Sequence, residues 1–250
     1  MIDCHTHMPG GIGFLAAGGF DAADQLAFMD THDVQRSVVL THTGLLHPGP
    51  DANDAVADYV QADRERLIGF CTVDPRRDDA PAEVERSLGV LRLRGIKFHP
   101  WLQGFCVHDA YMDPICALAA EHDVPILFHD GTPPYSLGLQ MAVLARRHPR
   151  TRIVLGHGGL HDSWRDALAA LRAAPNVWAC LCGVPPYAAA ALVARGPRDR
   201  IVVGTDAGLS RRADQPYAAA RIAEWRAWDV ADERRRAILD ENARELLGLA

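Results

Sequence analysis

The feature that most constrains this chain is an eightfold alternation between short runs rich in valine and isoleucine and longer stretches of helical period. The runs are Met1 to His7, Ser37 to Thr43, Leu67 to Asp74, Gly95 to His99, Pro125 to His129, Arg152 to His157, Asn176 to Gly183 and Arg200 to Asp206, and each has the length and composition of a buried strand. Helices are expected near Asp21 to Asp30, Asp51 to Arg66, Pro81 to Leu93, Tyr111 to His122, Leu139 to Arg147, Ser163 to Ala173, Tyr187 to Ala194 and Pro216 to Asp229. Their starts carry Asp, Ser or Pro, and Ala, Leu, Arg and Glu fill their interiors. Eight strands, each followed by a helix, predict an α/β fold closed as a (β/α)8 barrel. A doubly wound open sheet alternates in the same way and is the competing architecture. With 250 residues, 48% of them apolar, one domain over 1–250 is simpler than two small ones. The stretch Asp232 to Leu247 is expected as an appended C-terminal helix against the outside of the barrel.

In a barrel of this kind the active site forms where strands end, so a polar residue closing an apolar strand is a functional candidate. Strand 1 closes with His5-Thr6-His7, strand 4 with Lys97-Phe98-His99, strand 5 with His129-Asp130, strand 6 with His157 and strand 8 with Thr205-Asp206. Side chains alternate along a strand, so His5 and His7 share one side with Asp3, while Ile2, Cys4 and Thr6 face the helices. Two imidazoles at this spacing can chelate one ion. Val202 and Gly204 lead to Asp206 on its own face and are small enough for a barrel interior. A lone strand-end histidine is more often a structural hydrogen-bonding residue, and His32, His47, His122 and His148 read as surface or loop residues. The joint occurrence on four strands predicts a metal site and favours the barrel over the open sheet.

The net charge of −6, with Lys and Arg scattered, gives no footprint for nucleic acid or an anionic membrane and points to a small-molecule partner. No apolar stretch approaches the ~18 to 20 residues of a membrane span, and Met1-Ile2-Asp3-Cys4-His5 opens without a basic or apolar signal segment. A cytoplasmic location is expected. The six cysteines read as reduced, buried thiols, and Cys180-x-Cys182 lacks a second pair at zinc-finger spacing, so it reads as strand packing.

Six segments, in order, resemble the amidohydrolase superfamily, and within it the amidohydrolase-related branch that includes aminocarboxymuconate semialdehyde decarboxylase. They are Ile2-Asp3-Cys4-His5-Thr6-His7, Gly95-Ile96-Lys97-Phe98-His99-Pro100, Pro125-Ile126-Leu127-Phe128-His129, Gly156-His157-Gly158-Gly159, Gly204-Thr205-Asp206 and Glu241-Asn242-Ala243-Arg244-Glu245-Leu246-Leu247-Gly248. Any one motif is weak, but the ordered set spans almost the whole chain. The resemblance implies a distorted TIM barrel binding one divalent ion, usually zinc, with Mn2+ or Fe2+ as alternatives, through His5, His7, His129 and Asp206. His157 then assists catalysis. Neutral imidazoles and a carboxylate suit zinc, which in an open site lowers the pKa of water to about 7. Asp206 can hold that water and take its proton, and His157 can orient it or polarise the bond under attack. Which of the two is the base stays open. Asp130 either hydrogen-bonds an imidazole or begins the loop.

Some branches of the superfamily use a carboxylated lysine on strand 4 to bridge two metals, a role Lys97 would fill in a binuclear site. The mononuclear branch is closer over the chain, and there Lys97 clamps an anionic substrate group with His99 beside it. A structural ion pair is the plainer alternative for Lys97. The loop Pro100-Trp101-Leu102-Gln103-Gly104-Phe105 adds Trp101 and Gln103 as candidate substrate contacts, and Arg211 adds another beyond strand 8. Tyr135, Trp164, Tyr187 and Arg212 also reach the expected mouth, although Trp164 reads equally as packing and Arg211-Arg212 as a solvated pair. The glycine-rich stretch from Pro9 to Gly19 is either a flap or a turn. Such short loops imply either a small substrate or a second subunit, as in a homodimer, covering the mouth. The leading expectation is a metal-dependent hydrolase of an amide, lactone or related bond in a small, anionic substrate. A zinc-dependent non-oxidative decarboxylase needs the same ligands and is the alternative. A Lewis-acid cyclase or isomerase and a non-catalytic metal-binding barrel stand behind these two.

Overall fold

A computed structural model describes residues 1–10, 20–209 and 215–249. Among the described residues the eight strands are β1 Ile2–His7, β2 Arg36–Leu40, β3 Leu67–Gly69, β4 Ile96–Phe98, β5 Ile126–Phe128, β6 Ile153–Leu155, β7 Val177–Cys180 and β8 Ile201–Val202. Parallel ladders join β1 to β3 and β4 to β8. Two bridges close the circle, Cys71 with Ile96 and Thr6 with Ala207. The Lys97 N–H donates to Cys71 O at 2.7 Å and the Asp206 N–H to His5 O at 2.8 Å across these joints. The architecture is therefore a distorted (β/α)8 barrel, and the open sheet is excluded by its closure.

Helices Ala22–Thr31, Pro50–Tyr59, Ala80–Gly89, Asp113–Glu121, Gly138–Arg147, Trp164–Ala173, Pro186–Arg195 and Gln215–Arg226 follow the strands in turn. Their starts obey local chemistry. Asp21 accepts the Asp24 N–H at 2.8 Å as an N-cap, and proline opens Pro50–Tyr59 and Pro186–Arg195, where its missing N–H costs nothing. Two four-residue helices, Thr43–Leu46 and Pro100–Gln103, form in loops where no helix is expected from the sequence.

One residue of β1 breaks the expected alternation. Asp3 pairs with Ser37 and Thr6 with Val39, so an extra residue is accommodated on β1 as a bulge. Below the bulge the faces exchange. Ile2 and Cys4 join the interior cluster with Val38, Leu127 and Val202, whereas Asp3 turns away and accepts the Thr205 N–H and hydroxyl at 3.0 and 2.6 Å. The placing of Asp3 beside His5 and His7 is thus corrected. Those two histidines still share the site face, and Thr6 still faces the helices, where it accepts from the Gln25 amide at 2.8 Å.

The C-terminal segment is helical and appended as expected, but its position is corrected. It continues through Asp232–Arg236 and a π turn at Ala237–Glu241 into Asn242–Leu247. Ala243, Leu246 and Leu247 belong to the interior cluster. Asn242 donates to Ile201 O at 2.8 Å, and Arg94 donates to Leu247 O at 3.0 Å. The segment therefore stoppers the N-terminal end of the barrel, where apolar strand residues would otherwise meet water, instead of lying along the outer wall.

Candidate functional site

The opposite end of the strands encloses a cavity of about 180 Å³ lined by His5, His7, His42, Lys97, His99, His129, His157 and Asp206, with Gly10 and Leu209 at its edge. Of the polar residues expected at the strand ends, His5, His7, Lys97, His99, His129, His157 and Asp206 are among them. His5 Nδ1 lies 3.1 Å from Gly156 O and donates to it, which leaves Nε2 as a lone-pair nitrogen facing the cavity. That nitrogen is 3.5 Å from Asp206 Oδ1 and 3.4 Å from Lys97 Nζ. His7 Nε2 is 2.9 Å from the same Asp206 oxygen. Asp206 holds this position with φ +62°, a left-handed conformation that Asp and Asn tolerate better than most residues. Gly204 makes the approach feasible, because a Cβ there would stand 2.5 Å from His5 Cβ.

Burial sets the charge of this cavity. It drives His5, His7 and His129 well below the ordinary imidazole range, His157 to about 3, and His42 and His99 to about 2, with the Lys97 charge adding to the effect. Six neutral imidazoles result. Burial also lowers Lys97 to about 8, with Asp206 opposing the shift, so the amine is still protonated at pH 7. No carboxylate lies in ion-pair range of Lys97 among the described residues, which argues against a structural ion pair for it.

Not every candidate reaches the cavity. Gln103 spends its amide inside the fold, accepting the His99 N–H at 2.8 Å and donating to Val73 O at 2.9 Å, so it is corrected from a substrate contact to a brace of the His99 loop. Trp101 is 53% exposed, its ring 6.1 Å from His99, outside the cavity lining. Trp164 is buried and packs, as its alternative reading has it. Arg211, Arg212 and the glycine-rich residues 11–19 lie outside the described residues. Asp130 accepts the backbone N–H of His157 at 2.5 Å and of Gly159 at 2.6 Å. It therefore braces the turn that presents His157 and bonds no imidazole.

Two residues join the site unannounced. His42 stacks on His7 with centroids 3.8 Å apart, mirroring the stack of His99 on His129 at 3.7 Å. The run from Ser37 to Thr43 closes with Thr41-His42-Thr43, as polar as the ends of the other strands, and was the available signal. Cys182, expected as strand packing, places its sulfur with ligand atoms of His5, His157 and Asp206, all within 4.8 Å of one another. Neutral imidazoles, a thiol and a carboxylate form a donor set for a divalent ion. The Nδ1 atoms of His7 and His157 are buried without a partner, so the residues present fit the metal that this arrangement implies. A second cavity of about 620 Å³ shares His129, His157 and Asp206 and runs out past Gly183 to Tyr217 and Arg221.

A family model described as Amidohydrolase matches residues 2–249. No curated protein matches the sequence. Several solved structures share the fold. 5-Carboxyvanillate decarboxylase from Novosphingobium aromaticivorans DSM 12444, complexed with manganese and 4-hydroxy-3-methoxy-5-nitrobenzoic acid, has a TM-score of 0.70 at 20% identity, covering 90% of this chain and 79% of that one. For 2,6-dihydroxybenzoate decarboxylase from Rhizobium the values are 0.71 and 18%, over 99% and 98%. For 4-oxalomesaconate hydratase from Rhodopseudomonas palustris they are 0.71 and 16%, over 99% and 95%. No helix among the described residues is long and apolar enough to cross a membrane.

Proposed function

This chain belongs to the amidohydrolase family and is a metal-dependent enzyme, and we propose that it removes a carboxylate, without oxidation, from a small anionic substrate. The observation that carries this reading is Lys97, a buried cation facing the cavity with no carboxylate in ion-pair range among the described residues. A substrate carboxylate balances such a cation, and in this reading it is the group that leaves and not merely an anchor for an anionic amide or lactone. The fold neighbours named as decarboxylases support the same order of readings.

In this reading His5, His7, His129 and Asp206 hold one divalent ion, zinc by the chemistry of their donors. Bound there, the ion supplies positive charge that stabilises electron density developing on the substrate. The protonated Lys97 serves as a clamp for the carboxylate and not as a carboxylated bridge between two ions. His157, neutral and braced by Asp130, orients the substrate beside it. As the bond from carbon to carboxylate breaks, its electron pair stays on the carbon, carbon dioxide leaves, and a solvent proton relayed by the Asp206 carboxylate completes the product. Asp206 is 26% exposed, so it can regain that proton from solvent.

Hydrolysis is the second reading, and the accessible carboxylate of Asp206 favours it, because that group is equally placed to take a proton from water. A panel of small carboxylates, amides and lactones, assayed with the zinc- and manganese-loaded protein, separates the two. Carbon dioxide release is expected. Ring or amide opening without it would overturn the decarboxylase reading. Light scattering on the eluted protein tests for the homodimer that would cover the mouth.

A further inference from the structure

Cys182 follows β7 and is fully buried. Its neighbour by two residues, Cys180, faces the apolar interior, where its sulfur stands 2.7 Å from the position a Cβ on Gly204 would take. Both thiols belong to the interior cluster on one face of the chain and differ in depth. Cys180 fills space between β7 and β8, while Cys182 lies one pleat further up, among the ligand atoms of His5, His157 and Asp206. A second observation marks the same wall. His157 Nδ1 is buried without a hydrogen-bond partner, and it lies 3.5 Å from where a Cβ on Gly183, the residue after Cys182, would stand.

We infer that Cys182 supplies a thiolate to the ion held at His5 and Asp206, which makes the centre selective for thiophilic ions such as Zn2+ and Co2+ over Mn2+. The inference rests on the metal reading above and adds a donor absent from the set of His5, His7, His129 and Asp206. His5 and Asp206 belong to both groupings, so the sulfur joins the existing site and does not create a separate one. On coordination the S–H bond is exchanged for a sulfur–metal bond, and the proton passes to solvent. No electron is transferred and no oxidant is needed. The physical consequence is a softer ligand field than imidazoles and a carboxylate alone provide. Hard, oxygen-seeking ions gain little from a sulfur donor, whereas zinc and cobalt gain a strong bond.

Metal-free full-length protein titrated with Co2+ alone tests this by absorption spectroscopy. The visible d–d bands report that cobalt is bound, and a sulfur-to-cobalt charge-transfer band in the near ultraviolet reports a thiolate ligand. Wild type is expected to show both. Cys182→Ser should keep the visible bands and lose the charge-transfer band, while Cys180→Ser should keep both. Zn2+ affinity of Cys182→Ser should fall about tenfold or more, with Mn2+ affinity changed less. Visible bands without charge transfer in wild type, or charge transfer persisting in Cys182→Ser, would overturn the inference and leave the metal reading standing. Absence of any cobalt band would overturn that reading and the thiolate with it. The wild-type spectrum decides even if a variant fails to fold.

Discussion

The two ends of the barrel are built from opposite chemistry. At the N-terminal end of the strands, Ala243, Leu246 and Leu247 stopper an apolar interior, and nearby carbonyls are met by side-chain donors. Asn242 serves Ile201 O, Arg200 serves Ala174, Val177 and Leu171 O, and Asn176 serves three more. At the C-terminal end, eight polar side chains share one cavity, two imidazole nitrogens are buried unpaired, and Asp206 sits at φ +62°. Each unpaired buried group costs about 1 to 3 kcal/mol. The difference is a division of labour in chemistry, with apolar packing at the sealed end and titratable side chains where ligands bind, and not in strain, since left-handed Asp33, Arg92 and Asp123 and the unpaired Asp240 Oδ1 lie towards the sealed end.

The largest expected effect attacks the reactive end alone. His5, His7, His42, His99, His129 and His157 are held neutral below the ordinary value of 6.5. The unfolded chain binds protons there that the folded chain refuses. The contribution of these imidazoles to the stability of the metal-free protein is therefore complete above pH 6.5 and is lost as the pH drops below it, by at most about 1.4 kcal/mol per pH unit for each imidazole kept neutral. A melting series from pH 8 to 5 should show a steep loss of Tm, and a flat series would break the comparison.

Next in size is Asp206→Asn. Turnover on the substrate identified by the panel should fall by about 10³-fold, because the proton carried by the carboxylate is lost. Asn tolerates the left-handed backbone, so Tm should barely move. Near-normal turnover would remove Asp206 from the mechanism.

The reactive end is the more legible of the two in the sequence, for a physical reason. A histidine, lysine or aspartate that ends an apolar run has no use in a core, so His5, His7, Lys97, His99, His129, His157 and Asp206 declare themselves. His42 obeys the same rule on β2. Asp3 misleads because a period of two assumes an unbroken ladder, and one bulged residue exchanges the faces below it. Gln103 misleads differently. The short helix Pro100–Gln103 swings its amide back to the His99 N–H, and residue type alone does not distinguish a backbone partner from a ligand. Cys182 hides because a thiol on a strand has the composition of core. At the sealed end, the apolar stripe of Asn242–Leu247 tells that a face is buried and not which end of the barrel covers it.

At that sealed end, Leu246→Ala should destabilise the fold by about 2 to 5 kcal/mol through the cavity it leaves. Metal content per folded molecule should be unchanged. If chemical denaturation shows the loss and metal analysis shows depletion as well, the two ends are coupled and the division of labour is false.

The smallest effect is the sharpest, because Lys97 should move stability and binding in opposite directions. Burial lowers its amine from 10.5 to about 8, so between those values the unfolded chain holds a proton that the folded chain has released. Stability then rises with pH across that window, by at most about 1.4 kcal/mol per pH unit. Below pH 8 the folded protein carries the buried charge at a cost. Metal-free wild type should therefore melt below Lys97→Met at pH 7, and the two curves should converge as the pH approaches 10.5. In the metal-loaded wild type the charge of the ion beside His5, whose Nε2 is 3.4 Å from the Lys97 amine, moves this titration to lower pH, and KM should rise with pH as the substrate carboxylate loses its cation. Convergence of the melting curves without a rise in KM would leave Lys97 as a strained core residue, and only the paired, opposed responses identify it as the clamp.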